Sequence, residues 1–162
     1  MNDYVLEGHD LSRLFDTSTS PISFSEDPRE HIPKTGSIIY SVWDSEGNFI
    51  YIGISGLQKS LERRNPLSRM VSHSSGFRSG DQFNIYIHDF YVVPKLLQSG
   101  EYQPEKGMLD KLTKEYIQQN LFYRFVSFQS DDSDVIVRRL EKQIQSGVLG
   151  LTPSLNGNKT RT

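Results

Sequence analysis

The chain has 162 residues, of which 35% are hydrophobic and 23% are charged, and its formal net charge is −2. This length and composition predict one globular domain with a core of its own. The small net charge argues against a protein that coats nucleic acid without selection, because such proteins carry a large excess of cations.

The residues that the chain lacks exclude several kinds of site. There is no cysteine, which excludes disulfides and thiolate metal sites, and the four histidines do not have the spacing of a zinc site. We therefore expect any bound metal to have oxygen ligands. No apolar segment approaches the roughly 20 residues of a membrane span, and the N-terminus lacks the pattern of a signal peptide. The sequence thus predicts a cytoplasmic protein that does not contact a membrane.

Residues 1–34 are predicted to form an N-terminal arm outside the domain. Its apolar residues have the spacing of a short amphipathic helix, which the following prolines would end. These residues are Leu6, Leu11, Leu14 and Phe15, followed by Pro21, Pro28 and Pro33. Residues 1–35 carry seven acidic residues against three lysines and arginines, and no pattern in the arm indicates a chemical role.

Residues 36–55 have the pattern of a β-hairpin. Two runs rich in β-branched and aromatic residues flank a turn sequence at residues 44–48. A four-residue loop would pair Tyr40 directly with Tyr51, on one face of the sheet. Gly53 lies on the same face, and we expect its missing side chain to leave the backbone open to a ligand.

The next segment is predicted to be helical over residues 57–75, with a break at Pro66. Arg69 and His73 are four residues apart, so they share one face of the second part of this helix. Residues 56–80 carry five cations against one acid, and we expect this surplus to form a phosphate-binding surface. The cations are Lys59, Arg63, Arg64, Arg69 and Arg78.

Phe83, Ile85 and Ile87 alternate with more polar residues, which predicts a strand that continues toward Val93 and ends at Pro94. In such a strand His88 and Asp89 would point to opposite faces, so we do not predict a catalytic pair there. Apolar residues then recur at helical spacing over residues 108–117 and predict an amphipathic helix.

The C-terminal part predicts a strand over residues 121–128 and a helix over residues 135–148. Glu141 lies beside the apolar stripe of this helix, where its carboxylate can face a cleft. The stripe consists of Ile136, Leu140 and Ile144. The order hairpin, helix, strand, helix, strand, helix predicts a mixed α/β fold of the α+β kind.

Together these motifs resemble the GIY-YIG nuclease family. The hairpin carries Ile38-Ile39-Tyr40, with Ile in place of the family's first Gly, and an intact Tyr51-Ile52-Gly53. The later segments match the family's arginine, histidine or tyrosine, glutamate and asparagine. The matching residues are Arg69, His73, Glu141 and Asn156, the last within Pro153-Ser154-Leu155-Asn156.

The resemblance covers residues 36–76 and 121–157, and it leaves the arm and an insertion at about residues 81–120 outside. It implies a nuclease domain over residues 35–162. Such a domain has a small central antiparallel sheet of three to four strands, flanked by helices.

The resemblance also implies hydrolysis of DNA phosphodiester bonds with Mg²⁺, or with Mn²⁺ in its place. Glu141 would be the metal ligand, because one carboxylate suffices for a cation that keeps most of its waters. Arg69 would bind the phosphate through two hydrogen bonds. Tyr51 would orient the attacking water or Tyr40, and Asn156 would hold the cleft or a phosphate.

Two residues compete for the role of general base. Tyr40 fits the family, but a phenol has an ordinary pKa near 10, so nearby positive charge would have to lower it. His73 needs no such help. The catalytic arginine is also open, because Arg63 and Arg64 are nearer than Arg69 to the usual distance from the second tripeptide. The predicted DNA contacts are Gly53, Lys59, Arg63, Arg64 and Arg78.

The leading interpretation is a compact type II restriction endonuclease. One active site per chain would then favour a homodimer or sequential nicking. A nuclease that acts on branched or single-stranded DNA is the first alternative. A non-catalytic nucleic-acid-binding domain that keeps the fold is the second.

Overall fold

The computed structural model describes residues 4–100 and 102–157. They form the mixed α+β fold that the sequence predicts, with a four-stranded antiparallel sheet and a separate two-stranded one. The strands are β1 (Val5–Leu6), β2 (His9–Asp10), β3 (Ile22–Ser23), β4 (Ser37–Trp43), β5 (Phe49–Ser55) and β6 (Phe122–Phe128). The α-helices are α1 (Leu67–Ser75), α2 (Gln82–Ile87), α3 (Val93–Ser99), α4 (Met108–Asn120) and α5 (Ser133–Gln145). Short 3₁₀ turns form at Ser12–Leu14, Pro28–Glu30 and Leu61–Arg63, and a π-helical turn forms at His88–Val92.

In the described part of the chain, no helix combines the length and the apolar character needed to cross a membrane.

The central strand of the sheet is β4, which pairs with β5 on one side and with β6 on the other. All seven residues of β4 are buried, including Ser37 and Ser41, because the strand is covered on both faces. The strand order is β3-β6-β4-β5. The fourth strand comes from the arm, where Ile22 pairs with Tyr123.

Helices cover both faces of the sheet and form two hydrophobic cores. On one face, Met70 of α1, Phe83 of α2 and Ile117 of α4 are buried around Tyr40. On the other face, the apolar stripe of α5 packs with Ile39, which confirms the prediction for this helix. The helix predicted over residues 108–117 is also confirmed, as α4.

The arm contributes to both cores. Leu11 and Leu14 are fully buried on the α5 face, and Phe24 is 1% exposed on the opposite face. The predicted amphipathic helix of the arm is wrong. The segment forms the β1–β2 hairpin and a 3₁₀ turn instead, because Asp10 accepts the N–H of Ser12 at 2.9 Å and starts a turn.

The β4–β5 hairpin has a register that differs from the predicted one. Tyr40 pairs with Gly53, and Val42 pairs with Tyr51. The prediction that Tyr40 lies directly opposite Tyr51 is therefore wrong. Because the register is shifted by two residues, both rings still lie on the same face of the sheet.

The loop of this hairpin and an irregularity beside it together produce the two-residue shift of register. The backbone N–H of Asp44 donates to the carbonyl of Asn48 at 3.1 Å. The Asp44 carboxylate accepts the N–H groups of Glu46 and Asn48 at 3.0 and 2.8 Å. The loop is therefore one residue longer than predicted, which accounts for one residue of the shift. An irregularity between Val42 and Trp43 accounts for the other.

Residues 82–99 are helical, so the strand predicted over residues 83–93 is wrong. Asp81 caps α2, because its carboxylate accepts the N–H of Asn84 at 3.2 Å. Phe83, Asn84 and Ile87 are buried, which is the spacing of one face of a helix. A short run of alternating apolar residues fits either period, and here the cap decides between them.

The helical structure of this region also corrects two further predictions. Pro94 lies in the first turn of α3, where no backbone donor is needed, so it does not end an element. Nδ1 of His88 lies 2.7 Å from Oδ1 of Asp89, because helical neighbours do not point to opposite faces.

Candidate active site

A chain of three buried polar side chains connects the sheet to α1 and α2. The hydroxyl Oη of Tyr40 on β4 lies 2.6 Å from Nε2 of His73 on α1. Nδ1 of His73 lies 2.8 Å from Oδ2 of Asp81, the residue before α2. Tyr40 and His73 are fully buried, and Asp81 is 5% exposed. We call this arrangement the Tyr-His-Asp chain.

The hydrogen bonds of Asp81 determine which group donates the proton in the contacts of His73 with Asp81 and with Tyr40. Its Oδ2 also accepts the hydroxyl of Ser72 at 2.7 Å, and its Oδ1 accepts the N–H of Asn84. Burial acts to raise the pKa of Asp81, but these bonds and that of His73 outweigh it and hold the pKa below its ordinary value. The ionised carboxylate therefore accepts the Nδ1 proton of His73. Nε2 is left as an acceptor for the hydroxyl of Tyr40.

Burial changes the pKa of both other members of the chain. It lowers the pKa of His73, although the hydrogen bond to Asp81 opposes this change. It raises the pKa of Tyr40 well above its ordinary value, and the positive charge of Arg69 opposes it only in part. Nearby positive charge would have to lower this pKa for Tyr40 to act as a base alone. Arg69 does not achieve this, because desolvation of the phenolate is the larger effect.

Two residues of β5 surround the ring of Tyr40. The ring centroid of Tyr51 lies 6.4 Å from that of Tyr40, with the planes 28° apart. A Cβ atom on Gly53 would collide with the hydroxyl and ring of Tyr40. The phenol therefore fills the space that we predicted to be open to a ligand, and the expected DNA contact at Gly53 is wrong. Glycine is required here to seat the tyrosine.

Tyr51 differs from Tyr40 in its surroundings. It is 8% exposed, and no side chain or backbone group in the described part of the chain forms a hydrogen bond with its hydroxyl. Burial raises its pKa above the ordinary value, so the phenol is neutral. A neutral hydroxyl without a partner can contact water or a substrate.

Glu141 on α5 and Arg69 on α1 both act on the two tyrosines, although the two helices pack on opposite faces of the sheet. Glu141 raises the pKa of Tyr40 and Tyr51, and Arg69 lowers it. Burial raises the pKa of Glu141 itself to about 7, with Arg69 as the main opposing charge. Within residues 4–100 and 102–157, neither charged side chain has a hydrogen-bond or ion-pair partner.

A single carboxylate is the metal ligand that this site offers. Among the residues described, no group of three or more His, Cys, Asp or Glu side chains could hold a metal ion. Glu141 fits a cation that takes most of its ligands from water and from a phosphate, as Mg²⁺ does. A bound cation would also favour ionisation of a carboxyl group whose pKa is about 7.

Arg64 has a structural role. It is 3% exposed, so the predictions that it contacts DNA or acts as the catalytic arginine are wrong. Its guanidinium donates hydrogen bonds to the backbone carbonyls of Gln58, Lys59, Ser130 and Asp131 and to the side chains of Ser133 and Asp134. Of the three candidate arginines, Arg69 is the one whose charge acts on Tyr40, Tyr51 and Glu141.

The other predicted DNA contacts differ in their availability. Nε of Arg78 is 2.7 Å from Oδ1 of Asp110, and this ion pair is partly buried. Lys59 and Arg63 are exposed, and in the part of the chain that the structure describes their side chains have no hydrogen-bond or ion-pair partner. These two residues are free to contact a phosphate, whereas Arg78 would first have to leave Asp110.

Asn156 secures the C-terminal segment to β5. Its side-chain amide accepts the N–H of Ile52 at 3.1 Å and donates to the carbonyl of Ile52 at 2.6 Å. The N–H of Leu155 donates to the carbonyl of Ile50 at 2.8 Å. The segment thus covers the free edge of β5 as far as Ile52. Asn156 therefore anchors the C-terminal segment on β5, and its predicted role at the cleft or at a phosphate stays a prediction.

Sequence analysis missed Asp81 and Ser72. Asp81 begins the segment that we treated as an insertion without a role. An N-cap pattern, with Asp81 three residues before Asn84, is the signal that could have placed it at the start of a helix. Its contact with His73 depends on the turn after α1, where Gly76 has a φ of +73°.

Comparisons of this chain with protein-family models, with curated proteins and with solved structures found no significant match. The resemblance to the GIY-YIG nucleases therefore stays a prediction. It rests on the motif residues and on their arrangement around Tyr40.

Proposed function

We propose that this protein is a Mg²⁺-dependent DNA endonuclease. The observation that supports this most strongly is the Tyr-His-Asp chain, because it connects a phenol to a neutral histidine whose acceptor nitrogen faces it. Arg69 and Glu141 supply the cation and the carboxylate beside this chain. A phosphodiester hydrolase needs these functions together: a base for water, a cation for the phosphate and a ligand for the metal.

In the proposed reaction, Tyr40 takes a proton from the attacking water and passes its own hydroxyl proton to Nε2 of His73. Asp81 holds His73 in the tautomer that can accept this proton, and its negative charge favours the histidinium that forms. The two candidates for the general base thus act as one unit. Because Tyr40 and His73 are buried, the cleft must open toward Tyr40 when DNA enters.

Arg69 and Glu141 act on the phosphate. The exposed guanidinium of Arg69 can donate two parallel hydrogen bonds to phosphate oxygens and stabilise the negative charge that develops in the transition state. Glu141 would hold Mg²⁺, which supplies a Lewis acid for the phosphate and leaving oxygens. The free hydroxyl of Tyr51 orients the attacking water.

The test is cleavage of supercoiled plasmid and of a branched oligonucleotide, with Mg²⁺ and with EDTA. Tyr40→Phe keeps the buried ring but removes its hydroxyl, and Glu141→Ala removes the metal ligand. We expect each to lower the cleavage rate on the order of 10²- to 10³-fold. Tyr102→Phe changes an exposed tyrosine and is the matched control, which should cut at the wild-type rate.

The products distinguish the kinds of nuclease. Discrete fragments from duplex plasmid would identify a restriction endonuclease, and one site per chain would then require a homodimer or sequential nicking. Cutting at the branch alone would identify a structure-specific nuclease. We place the activity in the cytoplasm, a compartment that suits a chain without cysteine.

The second candidate function is a non-catalytic DNA-binding domain. The complete burial of Tyr40 and His73 favours it, because a general base must reach water. Tight DNA binding without cleavage in several divalent metals would overturn the enzyme proposal in favour of this one.

A further inference from the structure

Two cations of the arm lie beside a cation of the Leu61–Arg63 turn. Arg29, Lys34 and Arg63 line a surface cavity of about 430 Å³, together with Glu62. We call this cavity the arm groove. We propose that its three cations bind the phosphate backbone of duplex DNA next to the cleft. The choice of DNA as the partner rests on the proposed function.

A fourth cation lies close to the arm groove along α1. Leu67 lines the arm groove. A second cavity, of about 230 Å³, is lined by Ser68 and Arg69, the next two residues of the helix. Several cations on neighbouring elements suit a polyanion that carries one negative charge at each regular step.

The cations of the arm groove are available to a ligand. Lys34 and Arg63 are exposed, and their side chains have no hydrogen-bond or ion-pair partner in the described ranges. Arg29 pairs with Asp27 at 3.3 Å, but their side chains are 65% and 46% exposed. An ion pair this exposed contributes little, so a phosphate can replace the carboxylate.

The backbone beneath the arm groove is held in place by buried contacts. Arg64 ties the Leu61–Arg63 turn to the residues that precede and begin α5. Pro28–Glu30 packs against α1, and Asp27 caps this turn by accepting the N–H of Arg29 at 3.0 Å. Because these turns are already ordered, less conformational entropy is lost when the groove binds a ligand.

The charge distribution of the arm supports the same surface. Residues 1–35 are acidic overall, with seven acids against three cations. Two of the three cations nevertheless lie in the arm groove. The arm groove therefore carries two cations of an arm whose net charge would otherwise repel DNA.

The experiment measures binding of a labelled DNA duplex by fluorescence anisotropy in EDTA, over a series of salt concentrations. The variant is Lys34→Ala/Arg63→Ala in the full chain. If two phosphate contacts are lost, the slope of log K against log salt should fall by about 2, and affinity should fall at least about tenfold near physiological salt. Circular dichroism melting checks that the variant is folded.

Lys106→Ala/Lys111→Ala is the matched control, because it removes two exposed lysines of the α4 region that lie outside the arm groove. It should change the slope much less than the groove variant. Equal slopes for the two variants would overturn the proposal, since binding would then depend on total charge alone.

Because EDTA removes divalent metals, the binding assay tests the arm groove independently of cleavage. Loss of binding in the groove variant supports the groove even if the wild type cuts no DNA with any metal. Wild-type cutting with unchanged binding by the groove variant overturns the groove and leaves the enzyme proposal intact. A wild type that binds no duplex DNA at low salt overturns the groove as well.

Discussion

Tyr40 and Tyr51 are neighbours on the sheet, and their surroundings give them different chemistry. Tyr40 is fully buried and donates to His73, whereas Tyr51 is 8% exposed and its hydroxyl has no partner in the described part of the chain. Under the proposed function, Tyr51 meets the substrate first. Tyr40 then takes the proton of the attacking water and passes its own hydroxyl proton to His73, which Asp81 orients.

Asp81 is a positioning residue, because it acts through His73. Every group that contacts its carboxylate is a donor, so an asparagine in either orientation would direct its NH₂ at another donor. We expect Asp81→Asn to lower the cleavage rate on the order of 10²-fold. Because Asp81 raises the pKa of His73, its loss should move the acidic limb of the pH–rate profile to lower pH.

Ser72→Ala is the control for this prediction. It removes one donor to Asp81 and leaves the contact with His73 in place. Its cleavage rate should fall much less, with the acidic limb unchanged. If Asp81→Asn lowers activity only as far as it lowers the folded fraction, with the acidic limb unmoved, Asp81 is a structural residue.

Glu141 should destabilise the folded protein at alkaline pH. Burial raises its pKa from 4.5 to about 7, so the folded state binds the proton more tightly than the unfolded state does. Its effect on stability is therefore favourable below pH 4.5 and is lost as the pH rises through 7. We expect Glu141→Gln to raise the free energy of unfolding at pH 8 by on the order of 2 kcal/mol, with little change near pH 4.

Urea titrations at pH 4 and pH 8 measure this difference, and Glu115→Gln, at an exposed position, is the control. Mg²⁺ should stabilise the wild type at pH 8 but not Glu141→Gln, because only the carboxylate can hold the ion. Equal stabilisation of both proteins by Mg²⁺ would contradict the metal site.

At the level of single elements, neighbouring arginines have opposite roles. Arg64 is buried among six acceptors, and Arg63 is exposed. Arg64→Ala would leave backbone carbonyls and Asp134 without their donor. We expect it to cost about 3–5 kcal/mol of unfolding free energy, and Arg63→Ala to stay within about 0.5 kcal/mol.

Urea unfolding measures the free energy of unfolding of both variants and of a third, Arg64→Lys. A lysine has three donors on one nitrogen and cannot reproduce the planar fork, so we expect an intermediate loss. A stable Arg64→Ala protein that has lost DNA binding would instead make Arg64 a phosphate ligand.

The elements were predicted with unequal success, for physical reasons. The helix with Ile136, Leu140 and Ile144 was predictable, because its stripe persists over several turns. Residues 83–93 were not, since five alternating residues fit a strand and a helix equally well. The cap at Asp81 distinguishes the two, and it is visible in the sequence only if a helix is already assumed.

At the level of the whole molecule, the arm is built into the fold. Leu14 is fully buried against the α5 face of the sheet. We expect Leu14→Ala to cost about 2–5 kcal/mol of unfolding free energy by leaving a cavity. Leu97→Ala is the matched control, because Leu97 is 80% exposed and should change stability by less than about 0.5 kcal/mol. An unchanged stability of Leu14→Ala would show that the arm is dispensable for the fold.

The residues of the candidate site could be predicted from the sequence more fully than their geometry could. The motif residues identified in this way are Tyr40, Tyr51, Arg69, His73 and Glu141. The register that places Gly53 beneath the phenol was not predictable, because it depends on one extra residue in the hairpin loop and on the irregularity between Val42 and Trp43. The sequence also did not show that burial raises the pKa of Tyr40, since burial is a property of the packed core.

The sequence by itself determined the local patterns: a hairpin rich in β-branched and aromatic residues, Arg69 and His73 on one helix face, and the apolar stripe beside Glu141. Backbone geometry sets such periods within a few residues. Only the tertiary structure decided that Asp81 meets His73, that Arg64 turns inward, and that Glu141 and Arg69 act on the same tyrosines. These relations depend on how all the elements pack together, and no local period encodes them.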